Sequence, residues 1–169
     1  KGENIKNKVV SSVFEPGSTI KPIIGYAALS SGIVDLDDTI NTANGLKLHN
    51  KSKLLTDYKN FGLLTLEGVI QKSSNVGAAM IAKKTKKQKI YNTLTEFSIG
   101  SDLYVDFPSI QNGNIKDINN WDDALHGTVG YGYGLSTTLL HLANAYNIVA
   151  NDGMRVQLSY RKTNDIVLG

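Results

Sequence analysis

Phe14-Glu15-Pro16-Gly17-Ser18-Thr19-Ile20-Lys21-Pro22 is the stretch whose reading orders the rest of the chain. Pro16-Gly17 breaks the backbone, Ser18 suits an N-cap, and Pro22 falls in a first helical turn, where its missing N–H costs little. Ile23, Ile24, Ala27, Ala28 and Leu29 continue the pattern and Gly32 is a C-terminal stop, so a helix is predicted from Ser18 to Gly32. On a helix, positions i and i+3 share a face, which makes the Ser18 hydroxyl and the Lys21 amine neighbours. Serine is a weak nucleophile until a base takes its proton, and a neutral lysine is such a base. Burial, nearby positive charge and the helix dipole all push a lysine here toward neutrality. Backbone N–H groups at the helix tip suit an oxyanion. Taken alone, S-x-x-K is far more often a surface cap followed by a solvated lysine than a catalytic pair.

Upstream, Val9, Val10, Val13 and Phe14 read as a short strand or extended segment. Downstream, 35–65 is irregular, rich in Asn, Asp, Lys and Gly. Thr65 caps a helix with Glu67 in its first turn and Leu66, Val69 and Ile70 at helical spacing. Ser73-Ser74-Asn75 interrupts it, because these side chains compete for backbone hydrogen bonds. Helix resumes over 76–84, and another covers 88–98 with Ile90, Leu94 and Phe97 on one face and Gly100 as terminator. Residues 101–136 read as loop, ending in the glycine-rich run from Gly127 to Gly134. Thr137 caps a long helix with Leu139, Leu142, Ala143, Tyr146 and Val149 as its core stripe. Asn151-Asp152-Gly153 then turns the chain into a strand, Met154 to Tyr160.

The totals bound the function. A chain of 169 residues with 41% hydrophobic and 20% charged residues buries a core and is not a disordered polymer. A net charge of +3 is too small for a committed nucleic-acid binder. The absence of cysteine excludes disulfides, thiolate metal sites and a cysteine nucleophile. No window approaches the roughly 18 apolar residues of a membrane span, since Gly25, Ser30, Ser31 and Gly32 break the most apolar stretch. The first residues lack the order of a signal peptide, so an export signal or anchor is expected upstream.

Other candidates carry less. Leu135 stands where a dinucleotide-binding fingerprint needs its third glycine, and no G-K-[ST] follows for a phosphate loop. His49, His126 and His141 lack metal spacing, and His141 reads as helix packing or surface. Asp35, Asp37 and Asp38 miss the glycine and closing Glu of a calcium loop. Lys83, Lys84, Lys86, Lys87 and Lys89 read as a solvated helix end. Glu15 reads as a loop carboxylate, or as a group that orients Ser18 or a ligand.

Together, the segment from Phe14 to Pro22, Gln71-Lys72-Ser73-Ser74-Asn75-Val76-Gly77 and Tyr131-Gly132-Tyr133-Gly134-Leu135-Ser136-Thr137-Thr138 resemble three ordered segments of penicillin-binding proteins. Their signatures are S-x-x-K, S-x-N and K-T-G. The wording is closest to class B enzymes of the division-type (septal) branch. The resemblance implies an α/β (α+β) serine transpeptidase fold, with this stretch supplying mainly the helical lobe and without the inner sheet strands. It implies Ser18 as nucleophile and Lys21 as base, with Ser73 relaying a proton and Asn75 holding the lysine and the substrate amide. It implies no metal or organic cofactor. The substrates would be peptidoglycan stem peptides, β-lactam antibiotics would acylate Ser18, and the partners would be cell-wall synthesis and division proteins rather than nucleic acid. The site would lie on the extracytoplasmic face of the bacterial membrane. The third signature is not present: Lys162-Thr163-Asn164 departs at the glycine and comes too early. Residues 1–169 are therefore expected to be a partial transpeptidase domain that stops before the K-T-G strand and is inactive alone. A D,D-carboxypeptidase, a β-lactamase, a β-lactam sensor or a non-catalytic piece of the same fold are the alternatives.

Overall fold

The computed structural model describes residues 6–160 apart from 51 and 106, so Lys162-Thr163-Asn164 lies outside the described residues. Asn7 caps a single turn, α1 (Lys8–Ser11), where an extended segment was expected, and β1 (Val13–Phe14) follows. A 3-10 helix (Gly17–Ile20) then leads into α2 (Lys21–Ser30). This corrects the predicted start, since Ser18 lies inside the tight 3-10 turn and caps nothing. The turn is closed by the Thr19 hydroxyl donating to the Pro16 carbonyl at 2.7 Å. Pro22 sits in the first turn of α2 as expected. At the other end, Gly32 adopts φ +65° and donates to Leu29 O, while Ile33 N–H returns to Ala28 O.

The stretch 35–65 holds two small antiparallel ribbons. β2 (Ile40–Asn41) pairs with β5 (Leu63–Leu64), and β3 (Leu46–Lys47) pairs with β4 (Leu54–Leu55). Thr65 caps α3 (Leu66–Gln71) by accepting from Gly68 N–H. After the Ser73-Ser74 turn come α4 (Asn75–Lys84) and α5 (Lys87–Glu96).

Residues 101–136 are more ordered than predicted. They contain β6 (Asn114–Ile115), a 3-10 turn (Ile118–Asn120), α6 (Asp123–Val129) and the start of β7 (Leu135–Thr138). The glycines that suggested a loop are packing positions. A Cβ on Gly130 would meet Ala78 O at 2.6 Å and Ala82 Cβ at 2.7 Å, so α6 closes on α4 only because these residues are small. β7 is the centre of a three-stranded antiparallel sheet, with Phe14 opposite Thr137 and Ile115 opposite Leu135.

α7 (Leu139–Ala150) is capped by Thr138 rather than Thr137, which is taken up in the strand. Its predicted stripe is also wrong. Leu139, Ala143, Tyr146 and Val149 are exposed, and the buried face is His141, Leu142, Asn144, Ala145 and Ile148. Counting apolar letters missed this face because it carries two polar residues. His141 meets Thr138 Oγ1 at 2.7 Å through Nδ1 and Ser101 O at 2.9 Å through Nε2, so its burial is satisfied on both sides. The strand expected over Met154–Tyr160 is irregular chain with a single bridge residue at Val156.

α2 runs through the core. Ile20, Ile23, Ile24, Ala27 and Ala28 are almost fully buried, with Val69 from α3, Ala78, Ile81 and Ala82 from α4, Ile90 and Leu94 from α5 and Ile148 from α7 packed in the same cluster. The helix that carries the candidate lysine is thus the best-anchored element of the molecule.

Candidate active site

Lys21 is the first residue of α2 and only 3% exposed. Four oxygens surround its amine: Ser18 Oγ at 3.0 Å, Ser73 O at 2.6 Å, Ser73 Oγ at 2.9 Å and Asn75 Oδ1 at 2.9 Å. The structure therefore gathers Ser18, Lys21, Ser73 and Asn75 about one nitrogen. Because Ser18 sits in the 3-10 turn and caps nothing, its hydroxyl is left to the lysine and to solvent. The Lys21 amine is lowered from 10.5 to about 8, because burial pulls it down by more than the Asp57 carboxylate pushes it up. The expected direction is correct. The expected cause is correct only in part, because the charge that acts on the amine is negative.

The second half of the site is the turn between α3 and α4. Ser73 adopts φ +53°, the left-handed region that a residue with a Cβ occupies at a cost of about 1–3 kcal/mol. In that conformation both its carbonyl and its hydroxyl face the lysine. Ser74, fully buried, caps α4 by accepting from Gly77 N–H at 2.9 Å. The turn is fixed from outside by Asp57. Its Oδ2 accepts from the Ser74 hydroxyl at 2.5 Å, and its Oδ1 accepts from the backbone N–H groups of Asn75 at 2.7 Å and Val76 at 3.2 Å. Sequence reading missed Asp57. It lies in an irregular segment between β4 and β5, and its contacts form only through tertiary folding, so no local spacing announces it.

The glycine run holds the Ser18 turn from the other side. Gly17 N–H donates to Gly132 O at 3.0 Å, and Gly17 itself needs its φ of +56° to make the turn. A Cβ on Gly132 would lie 1.9 Å from Gly17 O, so the two backbones meet with no room for a side chain. Glu15 belongs to the same cradle: its Oε1 accepts from Gly134 N–H at 2.9 Å. The Tyr146 hydroxyl donates to Thr19 O at 2.8 Å. That contact explains why Tyr146 lies off the buried face of α7.

His126, His141, Lys83 and Lys87 have structural partners. His126 is buried against Thr85 O at 3.0 Å, and burial lowers the pKa of both His126 and His141, keeping the rings neutral. Lys83 and Lys87 reach the carbonyls of Leu48 and Trp121, so the basic run is partly built into the packing. Among the described residues, no group of His, Cys, Asp or Glu is placed to hold a metal ion, and no helix is long and apolar enough to cross a membrane.

Residues 1–165 match the family model of the penicillin-binding protein transpeptidase domain. The chain belongs to this family. It is 32% identical over 160 residues to the probable peptidoglycan D,D-transpeptidase PenA of Neisseria gonorrhoeae, an alignment covering 95% of this chain and 27% of that protein. It is 32% identical over 167 residues to the peptidoglycan D,D-transpeptidase FtsI of Escherichia coli K12, covering 99% of this chain and 28% of that one. The transpeptidase domain of Burkholderia pseudomallei penicillin-binding protein 3 superposes with a TM-score of 0.88 at 39% identity, covering 95% of this chain and 48% of that chain. The chain therefore spans about a quarter of the length of these curated relatives. The mixed helix and sheet architecture expected of the penicillin-binding family is the one observed.

Proposed function

We propose that this chain carries the serine side of a peptidoglycan D,D-transpeptidase centre, with Ser18 as nucleophile and Lys21 as its base. The observation that carries the reading is the single buried amine of Lys21, 3.0 Å from Ser18 Oγ and 2.9 Å from both Ser73 Oγ and Asn75 Oδ1. A lysine brought down to about 8 gives up its proton close to neutral pH, where a free lysine does not.

Neutral Lys21 takes the Ser18 proton as Oγ attacks the carbonyl between the two terminal D-alanines of a stem peptide. The tetrahedral intermediate collapses, the C–N bond breaks, and the departing D-alanine amine takes a proton passed from Lys21 through the Ser73 hydroxyl. Ser18 is left as an ester. An amine of a neighbouring stem peptide then attacks that ester, the Ser18 oxygen leaves, and the proton lost by the amine returns to it. Asn75 holds Lys21 through its Oδ1 and offers its amide N–H to the substrate backbone. A β-lactam would enter at the first step and stop at the ester. In the family resemblance drawn above, a K-T-G strand facing Ser18 completes the oxyanion site and the carboxylate-binding groups.

Stem peptides lie outside the cytoplasmic membrane, so the protein acts on its extracytoplasmic face, held there by a membrane anchor and working with other cell-wall synthesis proteins. The likeness to FtsI supports a role in septal wall synthesis. The test is to supply the full-length protein with a pentapeptide donor and an amine acceptor and follow free D-alanine and cross-linked dimer. Transpeptidation releases both in step. D-Alanine without dimer would make the protein a carboxypeptidase, and neither product would refute the reading.

A further inference from the structure

The Asp57 carboxylate holds the Ser74-Asn75 side of the site, and the reaction written above gives it no part. We infer that Asp57 is a positioning residue for this reaction: it clamps the start of α4 so that Ser73 and Asn75 meet Lys21, and it couples a negative charge to the lysine amine. The inference rests on the acyl-enzyme reading of Ser18 and deepens it.

The geometry has two parts. Both carboxylate oxygens are in use, one on the Ser74 hydroxyl at 2.5 Å and the other on the N–H groups of Asn75 and Val76 at 2.7 and 3.2 Å. Those two N–H groups belong to the first turn of α4, where no intrahelical acceptor exists, and a carboxylate there also meets the positive end of the helix. Asp57 therefore fixes the three residues that follow the strained Ser73, whose φ of +53° aims its carbonyl and hydroxyl at Lys21. A turn strained in this way persists only when its surroundings over-determine it. Ser74 supplies one restraint by capping α4 from within, and Asp57 supplies the rest from a different part of the chain.

The second part is charge. Burial favours the neutral amine, and the Asp57 carboxylate opposes it, so Lys21 rests between the two at about 8. The other charged groups on the elements around α2 are Glu15 ahead of the 3-10 turn, Lys59 two residues after Asp57, Glu67 and Lys72 on and after α3, Lys83 and Lys84 at the far end of α4, and Lys87, Lys89 and Glu96 on α5. A base of higher pKa pulls harder on the serine proton, but fewer molecules are neutral at a given pH. Asp57 sets that compromise.

Asp57→Asn separates the two parts. Its side-chain oxygen still accepts from Asn75 and Val76, and its NH2 can donate to Ser74 Oγ in place of the bond that Ser74 donated, so most of the turn's contacts survive while the charge is gone. Asp57→Ala removes both. The experiment measures the rate of acylation of the full-length protein by a fluorescent penicillin, from roughly pH 5 to 10, for wild type and both variants. Circular dichroism confirms the fold. In Asp57→Asn the midpoint of the rising acid limb moves to lower pH than in wild type, because removing a negative charge makes the ammonium easier to deprotonate, and the plateau falls because the base is weaker. Asp57→Ala loses on the order of 100-fold in plateau rate, the scale of a misplaced catalytic group. Should Asp57→Ala fail to fold, the midpoint of Asp57→Asn still decides. An Asp57→Asn profile that matches wild type in both midpoint and plateau overturns the inference, as does a plateau that falls with an unmoved midpoint. A wild type that takes up no penicillin at any pH overturns the acyl-enzyme reading, and the role of Asp57 with it.

Discussion

In the proposed reaction, Lys21 decides the chemistry at the scale of the residue. A lysine only 3% exposed, with four oxygens within hydrogen-bond distance, can be held as an ammonium or as an amine, and its value of about 8 puts the change within reach of physiological pH. The sign follows from its role. A group that works as a base is active above its pKa, so acylation by penicillin should rise with pH through an acid limb centred near 8, where a free lysine would place it near 10.5. Lys21→Ala and Lys21→Arg should both lose on the order of 100- to 10,000-fold in acylation rate, the usual contribution of a general base. Arginine fails because its guanidinium stays protonated. Stopped-flow acylation checks this, and a Lys21→Arg rate within a few-fold of wild type would remove Lys21 from the role. Ser73→Ala is a finer probe. The Ser73 carbonyl still holds the amine at 2.6 Å, so the midpoint should stay near that of wild type while the plateau falls on the order of 100-fold for want of the proton relay.

At the scale of the element, the nucleophile turn is positioned by two backbones in contact. Gly132→Ala would drive a methyl into the Gly17 carbonyl 1.9 Å away, with backbone on both sides and no flexible side chain to yield. The turn must shift, and the Ser18 hydroxyl with it. We expect Gly132→Ala to lose on the order of 100-fold in acylation while far-UV circular dichroism and the cooperativity of unfolding stay close to wild type. Normal acylation would mean that the glycine run does not position Ser18. Thr138→Ala should instead cost about 1 kcal/mol of stability through the lost cap of α7, with a further loss from the His141 Nδ1 it leaves without a partner, both measurable by urea unfolding.

The same elements explain what the sequence alone could and could not reveal. Local signals were sufficient for α2, α3, α4 and α5, where Pro22, Gly32, Thr65 and the Ser-Ser-Asn break each act within a turn or two. They failed between 101 and 136. Gly130, the cap of α6, permits its close approach to α4, and Gly127 within α6 leaves room for Leu48; such a glycine looks like a loop until its neighbour is known. They failed again on α7, where His141 and Asn144 occupy the buried face. Of the site, Ser18, Lys21, Ser73 and Asn75 were legible because two short motifs carry them. Asp57 was not, since it lies in irregular chain and its contacts reach 17 to 19 residues onward, across β5 and α3.

At the scale of the whole molecule, the site is as rigid as the core beneath it. Ile24, 1% exposed in the cluster that joins α2 to its neighbours, supports the helix three residues after Lys21. Ile24→Ala should destabilise the fold by about 2–5 kcal/mol, through lost burial and a cavity that close packing cannot fill. Gly130→Val should cost about 1–3 kcal/mol by forcing α6 away from Ala78 and Ala82. Urea unfolding with intrinsic fluorescence from Trp121 measures both, and equal midpoints for wild type and variants would contradict the packing described. The account as a whole turns on one atom. The measurement that reaches it most directly is mass spectrometry of the full-length protein after treatment with penicillin, with the modified peptide sequenced. The account predicts a single acyl adduct on Ser18, absent from a folded Ser18→Ala variant. An adduct on any other residue, or labelling that survives Ser18→Ala, would contradict it.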